Sequence, residues 1–192
     1  MSSDLWLQRW LPLIVERAGS GPVLELGCGT GEDSAVLARN GVDLVSLDLS
    51  EQAVTAARAR LPDVKFLVQD LRDPFPLGAG SASVVVASLS LHYFPWDETL
   101  RLMARIRDAL NEGGIFLCRL NSTNDHHYGA SGYPLIDENY YSVKGETKRF
   151  FNRNSIERLF QNGWKMLSLE EMVTHKYAMP KSLWEVILVK GD

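Results

Sequence analysis

The sequence predicts an α/β protein built around a mostly parallel sheet. Apolar runs of strand length alternate with segments of helical period along the 192 residues, a pattern typical of strand–helix–strand units. The first run breaks into a glycine-rich loop at residues 27–31, as expected where a parallel sheet approaches a ligand. With 45% hydrophobic and 23% charged residues, a chain of this length can bury a full core, and we expect residues 1–192 to form one domain.

Seven apolar runs have the length and composition of strands. They are residues 22–26, 42–47, 64–68, 84–87, 115–120, 164–169 and 183–189. The fifth is expected to begin only after residues 112–114, Glu-Gly-Gly, because glycines are typical of the end of a helix. The last two runs form the tail, with no helix predicted between them.

Helical period or helix-start signals mark five segments. These are residues 1–19, 34–40, 51–61, 97–110 and 154–161. Gly41 ends the second helix, Ser50 is suited to cap the third, and Pro62 prevents its continuation. Asn154 and Glu157 have the spacing of a capping box for the last helix.

Trp6 and Trp10 share one face of the first predicted helix, since they are spaced i and i+4. Packing of this face on the sheet is the simpler interpretation, and a flap over a ligand is the alternative.

Charge and cysteine content narrow the classes of partner. A formal net charge of −4 argues against nucleic acid and anionic membranes as partners. Cys28 and Cys118 lie far apart with no CxxC spacing, so we expect free thiols, a reducing cytoplasmic location and no metal site. The first residues show neither a secretion signal nor a membrane span, and oligomeric state is left open.

The glycine-rich loop, Glu-Leu-Gly-Cys-Gly-Thr-Gly at residues 25–31, is the strongest functional signal. Glycine at every second position lets the backbone turn sharply and contact a ligand at the end of the strand. Dinucleotide-binding loops instead read G-x-G-x-x-G, which disfavours a nicotinamide-dependent dehydrogenase. An acid two residues before the loop, Glu25, suits a cationic ligand better than a diphosphate.

This loop resembles the first motif of class I S-adenosylmethionine-dependent methyltransferases. The resemblance implies S-adenosylmethionine as cofactor and a Rossmann-like, seven-stranded sheet with one antiparallel strand and helices on both faces. It also implies cofactor contacts from Glu25, Gly27, Cys28, Gly29 and Gly31.

Three later segments resemble the second, third and fourth motifs of this family: residues 45–50, 66–71 and 83–94. The resemblance implies that Asp48 accepts both ribose hydroxyls, with Leu49 beside it. It implies that Asp70 binds the adenine amino group and that Leu71 covers the ring. Ser88, at the end of the fourth strand, would lie along the methionine part of the cofactor.

Two departures from the family favour a small-molecule acceptor. Ser83 stands where many relatives have Asp, and no N-P-P-Y or D-P-P-Y follows the fourth strand as in many enzymes that methylate nucleic acid bases. We therefore expect methyl transfer to an O, N or S atom of a small molecule. The alternatives are a protein or RNA methyltransferase and a non-catalytic cofactor-binding module.

Histidines are the candidates for a general base, because their ordinary pKa lies close to neutrality. His92 follows the fourth strand on the side where the methyl group should point, although it equally suits a packing or capping role. His126 and His127 come next, with exposed loop histidines as the alternative. Tyr93, Asn121 and Tyr128 complete the candidate substrate-binding set together with His92.

Residues 122–150 lack clear periodicity and hold four of the six tyrosines and two of the four histidines. A connection of this length is typical of a lid or binding loop, so we interpret it as an irregular substrate cap. The predicted organisation is an N-terminal helix (1–19), a cofactor-binding core (20–121), this cap, and a final helix with two strands (151–192).

Overall fold

A computed structural model describes residues 5–191 of the chain. The strands in chain order are β1 (Val23–Leu26), β2 (Leu44–Asp48), β3 (Lys65–Val68), β4 (Ala82–Ser88), β5 (Leu110–Asn121), β6 (Leu135–Asp137), β7 (Tyr140–Val143), β8 (Glu146–Arg149), β9 (Trp164–Thr174) and β10 (Lys181–Lys190). The α-helices are α1 (Trp6–Ala18), α2 (Glu32–Arg39), α3 (Glu51–Arg60), α4 (Trp96–Ala109) and α5 (Arg153–Leu159). A short 3-10 helix spans His126–Tyr128.

Seven strands form the main sheet in the order β3-β2-β1-β4-β5-β10-β9. β1 to β5 pair in parallel, whereas β10 is antiparallel to both of its neighbours, β5 and β9. The predicted mostly parallel sheet with one antiparallel strand is confirmed. Strand order reverses between β1 and β4, and the crevice beyond the carboxyl ends at such a point is where open α/β sheets bind ligands.

Apolar side chains fill both faces of the sheet, because successive strand residues point to opposite sides. Val84 and Val86 pack in one cluster with Leu7 and Ile14 of α1, while Val85 packs in the other, with residues of α4 and α5. Helices therefore cover both faces, as predicted.

Local signals fix α3 and α5. Ser50 Oγ accepts a hydrogen bond from Ala53 N at 3.2 Å, so the predicted cap of α3 is confirmed. The predicted capping box of α5 is wrong by two residues. Asn152 accepts from Ser155 N at 2.9 Å and the Ser155 hydroxyl accepts from Asn152 N at 2.9 Å, because Asn152 is the last residue with extended backbone.

The bounds of β5, β9 and β10 differ from those predicted. β5 begins directly after α4, and Gly113, with φ +70°, lies within the strand where its register to β4 shifts, rather than ending the helix. β9 and β10 are longer than their apolar runs, since charged residues such as Glu170 and Lys181 occupy positions in the strands.

Residues 122–150, named the cap from here on, are more regular than predicted. They contain the 3-10 helix and a three-stranded antiparallel sheet, β6-β7-β8. The buried Arg149 side chain fixes this sheet to the loop after β4, with Nε donating to Phe94 O at 3.3 Å and the guanidinium 4.7 Å from the Tyr140 ring centre. Tyr140 in turn donates from its hydroxyl to Tyr93 O at 3.1 Å.

Across residues 5–191, none of the helices is both long and apolar enough to cross a membrane.

Candidate active site

Gly27 turns the chain at the end of β1 in a space that accepts only glycine. Its φ is +79°, and a β-carbon placed on it would lie 2.2 Å from Ser90 Cβ. The Ser90 hydroxyl donates to Leu26 O at 2.6 Å, which holds the loop after β4 against the end of β1. At Gly27 the close approach is therefore a contact between two loops at the sheet's switch point, and the approach of the glycine loop to a ligand stays a prediction.

Gly29 lies at the open side of the loop. A β-carbon on it would meet no atom within 4 Å, and its φ is +53°. Its N–H donates to Asp48 Oδ2 at 2.8 Å, while Asp48 Oδ1 accepts from Ser50 N at 2.9 Å. The Asp48 carboxylate at the end of β2 thus fixes the glycine loop and the start of α3 together.

Gly31 differs from both because it faces α3. It is the N-cap residue of α2 with φ +82°, and a β-carbon there would lie 3.3 Å from Ala57 Cβ. The glycine therefore permits close packing of α2, α3 and the loop.

A cavity of about 240 Å³ opens at this switch point. It is lined by Glu25, Gly27, Cys28, Gly29, Thr30, Glu32, Asp33, Ser88, Arg119, Lys176 and Tyr177. Five of the ten residues assigned to the cofactor from sequence line it: Glu25, Gly27, Cys28, Gly29 and Ser88. We call it the switch-point cavity.

Glu25 is a buried acid beneath the glycine loop, 3% exposed. Its Oε2 accepts from the hydroxyls of Ser34 at 2.5 Å and Ser46 at 2.7 Å. Burial raises its pKa to about 7, an effect that these two hydrogen bonds only partly oppose. A cation in the cavity would favour the ionised carboxylate, so the site is suited to a positively charged ligand.

Cys28 is a free thiol, as is Cys118. Burial raises the pKa of both thiols, so each is the neutral form at physiological pH and not a nucleophile.

The adenine-side candidates lie outside the switch-point cavity. Leu49 projects into solvent, 68% exposed, whereas Leu71 is buried. Asp70, after β3, accepts from Arg72 N at 2.8 Å and lies 3.3 Å from Arg72 Nη1. Arg105 of α4 holds this loop, donating to Leu71 O at 2.6 Å, to Arg72 O at 2.9 Å and to the carbonyl of Asp73.

Arg119 is a lining residue that sequence reasoning missed. This guanidinium is 3% exposed on β5, and its Nε and Nη2 donate to Ser88 Oγ at 2.9 and 2.7 Å. It also stacks 4.6 Å from the Trp6 ring centre. An arginine within the apolar run 115–120 was the available signal, since a charge in a buried strand requires a specific environment.

Lys176 and Tyr177 were missed as well. They belong to residues 175–180, the β9–β10 loop, which lies at the mouth of the switch-point cavity. Lys176 Nζ forms an ion pair with Glu32 at the start of α2. No local motif marks this loop, because its contacts are with residues far away in the sequence, Glu32 about 145 positions and Tyr128 about 50 positions before it.

The predicted base candidates separate into two groups. His92 is 5% exposed, its Nδ1 has no hydrogen-bond partner among the described residues, and its backbone carbonyl accepts from Arg149 N at 2.7 Å. Burial, with Lys181 and Lys148 nearby, lowers its pKa to about 3. His126 and His127 are exposed on the 3-10 helix and are not among the residues that line the switch-point cavity.

The remaining substrate candidates surround the region between the cavity and the cap. The Tyr93 ring lies 4.1 Å from the His92 ring, centre to centre. Tyr128 packs 5.8 Å from the Tyr177 ring, and its hydroxyl both donates to Met179 O and accepts from Met179 N, at 3.1 and 3.0 Å. Asn121 is 1% exposed, and its Oδ1 has no partner among residues 5–191.

Comparison with known proteins agrees with this arrangement. A family model described as a methyltransferase domain matches residues 23–114. An uncharacterised methyltransferase from Synechocystis is 31% identical over 112 residues, 57% of this chain and 52% of that protein. The magnesium-protoporphyrin O-methyltransferase of Rhodobacter capsulatus is 34% identical over 99 residues, 49% of this chain and 43% of that protein. The chain thus spans about half the length of these relatives.

A solved S-adenosylmethionine-dependent methyltransferase from Methanosarcina mazei has the same fold, with a TM-score of 0.79 over 94% of this chain and 97% of that one. Its sequence identity is 15%, so this likeness concerns the fold alone. Residues 23–114 thus match the methyltransferase domain family, and the described chain has the fold of S-adenosylmethionine-dependent methyltransferases, whose cofactor is S-adenosylmethionine.

Proposed function

We propose that this protein transfers a methyl group from S-adenosylmethionine to an O, N or S atom of a small molecule. The observation that carries the proposal is the switch-point cavity, which is lined by an open glycine position, Gly29, and a buried acid, Glu25, while the Asp48 carboxylate at the end of the next strand accepts from the Gly29 N–H. The cofactor supplies a methyl group activated by a sulfonium. The chain has to bind it, align it with an acceptor and exclude water.

The residues present fit this cofactor. A side chain at Gly29 would occupy open space in the cavity, so the backbone there leaves room for a ligand. Asp48 uses each carboxylate oxygen once for the loop, and each oxygen keeps a lone pair that can accept a ribose hydroxyl. Glu25 supplies negative charge beneath the positively charged methionine part. Ser88 and Arg119 close that end of the cavity.

For the adenine side, we propose that Asp70 and Leu71 bind the ring, with Leu49 covering it from solvent. Arg105 acts on this subsite indirectly, because it holds three successive carbonyls of the loop that presents Asp70 and Leu71.

A small-molecule acceptor is supported by the region between the cavity and the cap. There the Lys181 ammonium lies 4.9 Å from the Tyr128 ring centre and 6.0 Å from that of Tyr177, and the Tyr93 ring lies 4.1 Å from the ring of buried His92. Several relatives are named for small-molecule acceptors, among them magnesium protoporphyrin and trans-aconitate. We propose that residues 122–150 and the β9–β10 loop together enclose the acceptor, beside a cofactor-binding core at residues 20–121.

His92 is a poor candidate for a general base in this arrangement. A group with a pKa of about 3 has little tendency to take a proton from a hydroxyl or an ammonium near neutral pH. We assign it a positioning role behind Tyr93 instead, and we assign no catalytic role to His126 and His127.

Calorimetric titration with S-adenosylmethionine, S-adenosylhomocysteine and NAD tests the cofactor assignment. We expect the first two to bind and NAD not to bind. Asp48→Asn should weaken S-adenosylmethionine binding by about 2 kcal/mol, roughly 30-fold, as for other hydrogen bonds to charged groups. Asp43→Asn, an exposed position just before the amino end of the same strand, is the matched control and should bind as the wild type does.

Binding of NAD without S-adenosylmethionine would contradict the proposal. So would an Asp48→Asn variant that is folded by circular dichroism and binds S-adenosylmethionine as tightly as the wild type.

A further inference from the structure

Beside the switch-point cavity lies a second polar cluster, centred on Lys181 at the start of β10. Lys181 is 8% exposed, and its ammonium is 2.7 Å from Asp125 Oδ2. It also lies 4.9 Å from the Tyr128 ring centre and 6.0 Å from that of Tyr177. Because Tyr177 lines the cavity, a single aromatic ring separates this ammonium from the cavity.

The Lys181 ammonium is only partly satisfied by the protein. An ammonium has three N–H donors, and among residues 5–191 Asp125 is its one hydrogen-bond acceptor. Asp125 itself is held in place, because its Oδ1 accepts from Ser182 N at 3.2 Å. Two donors of a buried cation therefore remain for a ligand.

Other buried groups in the same region also lack partners within the described chain. These are His92 Nδ1 and Asn121 Oδ1. Asn121 and Arg119 lie two residues apart on β5, and Leu183, two residues after Lys181, pairs with Asn121. The sheet register therefore brings Arg119, Asn121 and Lys181 to one face beside the carboxyl end of β5.

Two further cations, Lys148 and Arg119, act on the Lys181 ammonium. Burial lowers the pKa of Lys181, and Lys148 and Arg119 lower it further, while Asp125 opposes them. Lys181 and Lys148 also lower the pKa of His92. Two acids near this cluster already have partners: Glu146 is mostly exposed and 3.5 Å from Lys148, and Glu185, which lies opposite Arg119 on the neighbouring strand, accepts from Trp10 at 2.7 Å.

From this geometry we infer that the methyl acceptor is an oxyanion, a carboxylate or an ionised phenol, whose charged oxygen binds the Lys181 ammonium. The inference rests on the methyltransferase function proposed above. A cationic acceptor would place like charges side by side in a buried site, whereas an oxyanion would accept from the Lys181 N–H groups that do not bond to Asp125. The tyrosine rings provide flat apolar walls for the body of such a molecule.

An anionic acceptor also explains why this region lacks a competent base. The oxyanion uses its own lone pair to form the new O–C bond. The carbon–sulfur bond breaks with its electron pair passing to sulfur, so the positive and negative charges both disappear and no proton moves. A histidine with a low pKa is then no obstacle to the reaction.

Pairs of matched probes test the inference by binding alone. Calorimetry measures the binding of each anion and of its neutral analogue to protein saturated with S-adenosylhomocysteine. The carboxylates are acetate, benzoate and trans-cinnamate, each compared with its amide, and the phenolate is 4-nitrophenolate, compared with 4-nitroaniline. We expect at least one anion to bind about tenfold or more tightly than its neutral partner. The carboxylate and phenolate arms distinguish the two oxyanion sources.

The role of Lys181 is tested by substitution. Lys181→Met should abolish the preference for the anion. This change leaves Asp125 buried without its counter-charge and could unfold the protein, so the double variant Lys181→Met/Asp125→Asn is measured in parallel. The double variant should also lose the preference for the anion. Lys190→Met is the matched control, since Lys190 lies at the opposite end of the same strand, bonded to Leu110 O, and should leave the preference unchanged.

Equal binding within every pair, or no binding of any anion, overturns the inference, as does an anion preference that survives in the folded double variant. Failure of the proposed function is a different result, because it appears as loss of S-adenosylmethionine and S-adenosylhomocysteine binding in the first titration. Methyl transfer from labelled S-adenosylmethionine to the amides but not to the acids would support the proposed methyltransferase function and contradict the inference that the acceptor is an oxyanion.

Discussion

Glu25→Gln removes a buried carboxyl group from the centre of the sheet and should change how stability depends on pH. The wild-type pKa is raised from 4.5 to about 7, mainly by burial. The unfolded chain therefore releases this proton more readily than the folded chain does. The stability that Glu25 contributes is fully present below about pH 4.5 and is lost as pH rises through 7.

The size of this effect follows from the two pKa values. One pKa unit corresponds to about 1.4 kcal/mol, so a rise from 4.5 to about 7 lowers the free energy of unfolding by about 3 kcal/mol above pH 7. Glutamine has the same shape, and its amide oxygen can accept the hydroxyls of Ser34 and Ser46. Its other effects on stability are independent of pH, so the pH dependence isolates the carboxyl group.

Urea unfolding of the ligand-free protein at about pH 5, 6, 7 and 8 measures this difference. Relative to the wild type, Glu25→Gln should gain about 2 to 3 kcal/mol between the lowest and highest pH. Glu112→Gln, at an exposed position, controls for loss of a negative charge and should follow the wild type at every pH. A constant difference between Glu25→Gln and the wild type would refute the account of Glu25 as a buried acid that binds a proton when folded.

The same variant connects stability to cofactor binding. A cation bound over Glu25 favours the ionised form, so wild-type affinity for S-adenosylmethionine should increase between about pH 6 and 8. Glu25→Gln should be more stable yet bind more weakly, and its affinity should lack this increase. Calorimetry in buffers of matched ionic strength checks both expectations.

Three further substitutions test other parts of the site. Gly27→Ala should lower the free energy of unfolding by about 2 kcal/mol or more in urea titration, because the added carbon meets the Ser90 side chain. Gly41→Ala is the control, because Gly41 also has a positive φ but a β-carbon there would meet open space, and it should lower the free energy of unfolding clearly less. Equal losses in the two variants would contradict the role of the Gly27–Ser90 contact. Arg105→Ala should weaken S-adenosylmethionine binding by about tenfold through the loop at residues 71–73, whereas Arg101→Ala, exposed on the same helix, should not; equal affinities would exclude this positioning role. His92→Gln should resist acid better than the wild type, by about 3 kcal/mol at pH 4, because a folded pKa of about 3 against 6.5 unfolded costs stability as pH falls below 6.5. If the stability of His92→Gln and of the wild type falls in parallel as the pH is lowered, the low pKa assigned to His92 is contradicted.

The predictable parts of this fold are those specified by neighbouring residues. Ser50 and Pro62 delimit α3 because a cap and a proline act within one helical turn. The glycine loop could be located from sequence because its three glycines directly follow β1. Why each position is glycine is visible only in the structure: Gly27 contacts Ser90, Gly29 faces open space and Gly31 packs on Ala57.

The parts that sequence reasoning missed depend on distant residues. Arg119 and Tyr177 line the same cavity because β10 returns antiparallel to β5 and carries the β9–β10 loop back to the glycine loop. A single sequence contains no signal for that pairing. The sheet inside the cap was missed for a related reason: β6 is entirely exposed, so it lacks the alternation that identifies a half-buried strand.

The β9–β10 loop is attached to two separate parts of the protein. Lys176 pairs with Glu32 at the start of α2, and Met179 is held through its backbone by the Tyr128 hydroxyl of the cap. A cofactor in the switch-point cavity would therefore contact Tyr177 of a segment that is also held by the cap. Occupancy of one compartment should consequently slow exchange in the other. We expect turnover to be governed by release of the spent cofactor, and an acceptor that tightens the Tyr128 contact to lengthen the time for which that cofactor remains bound.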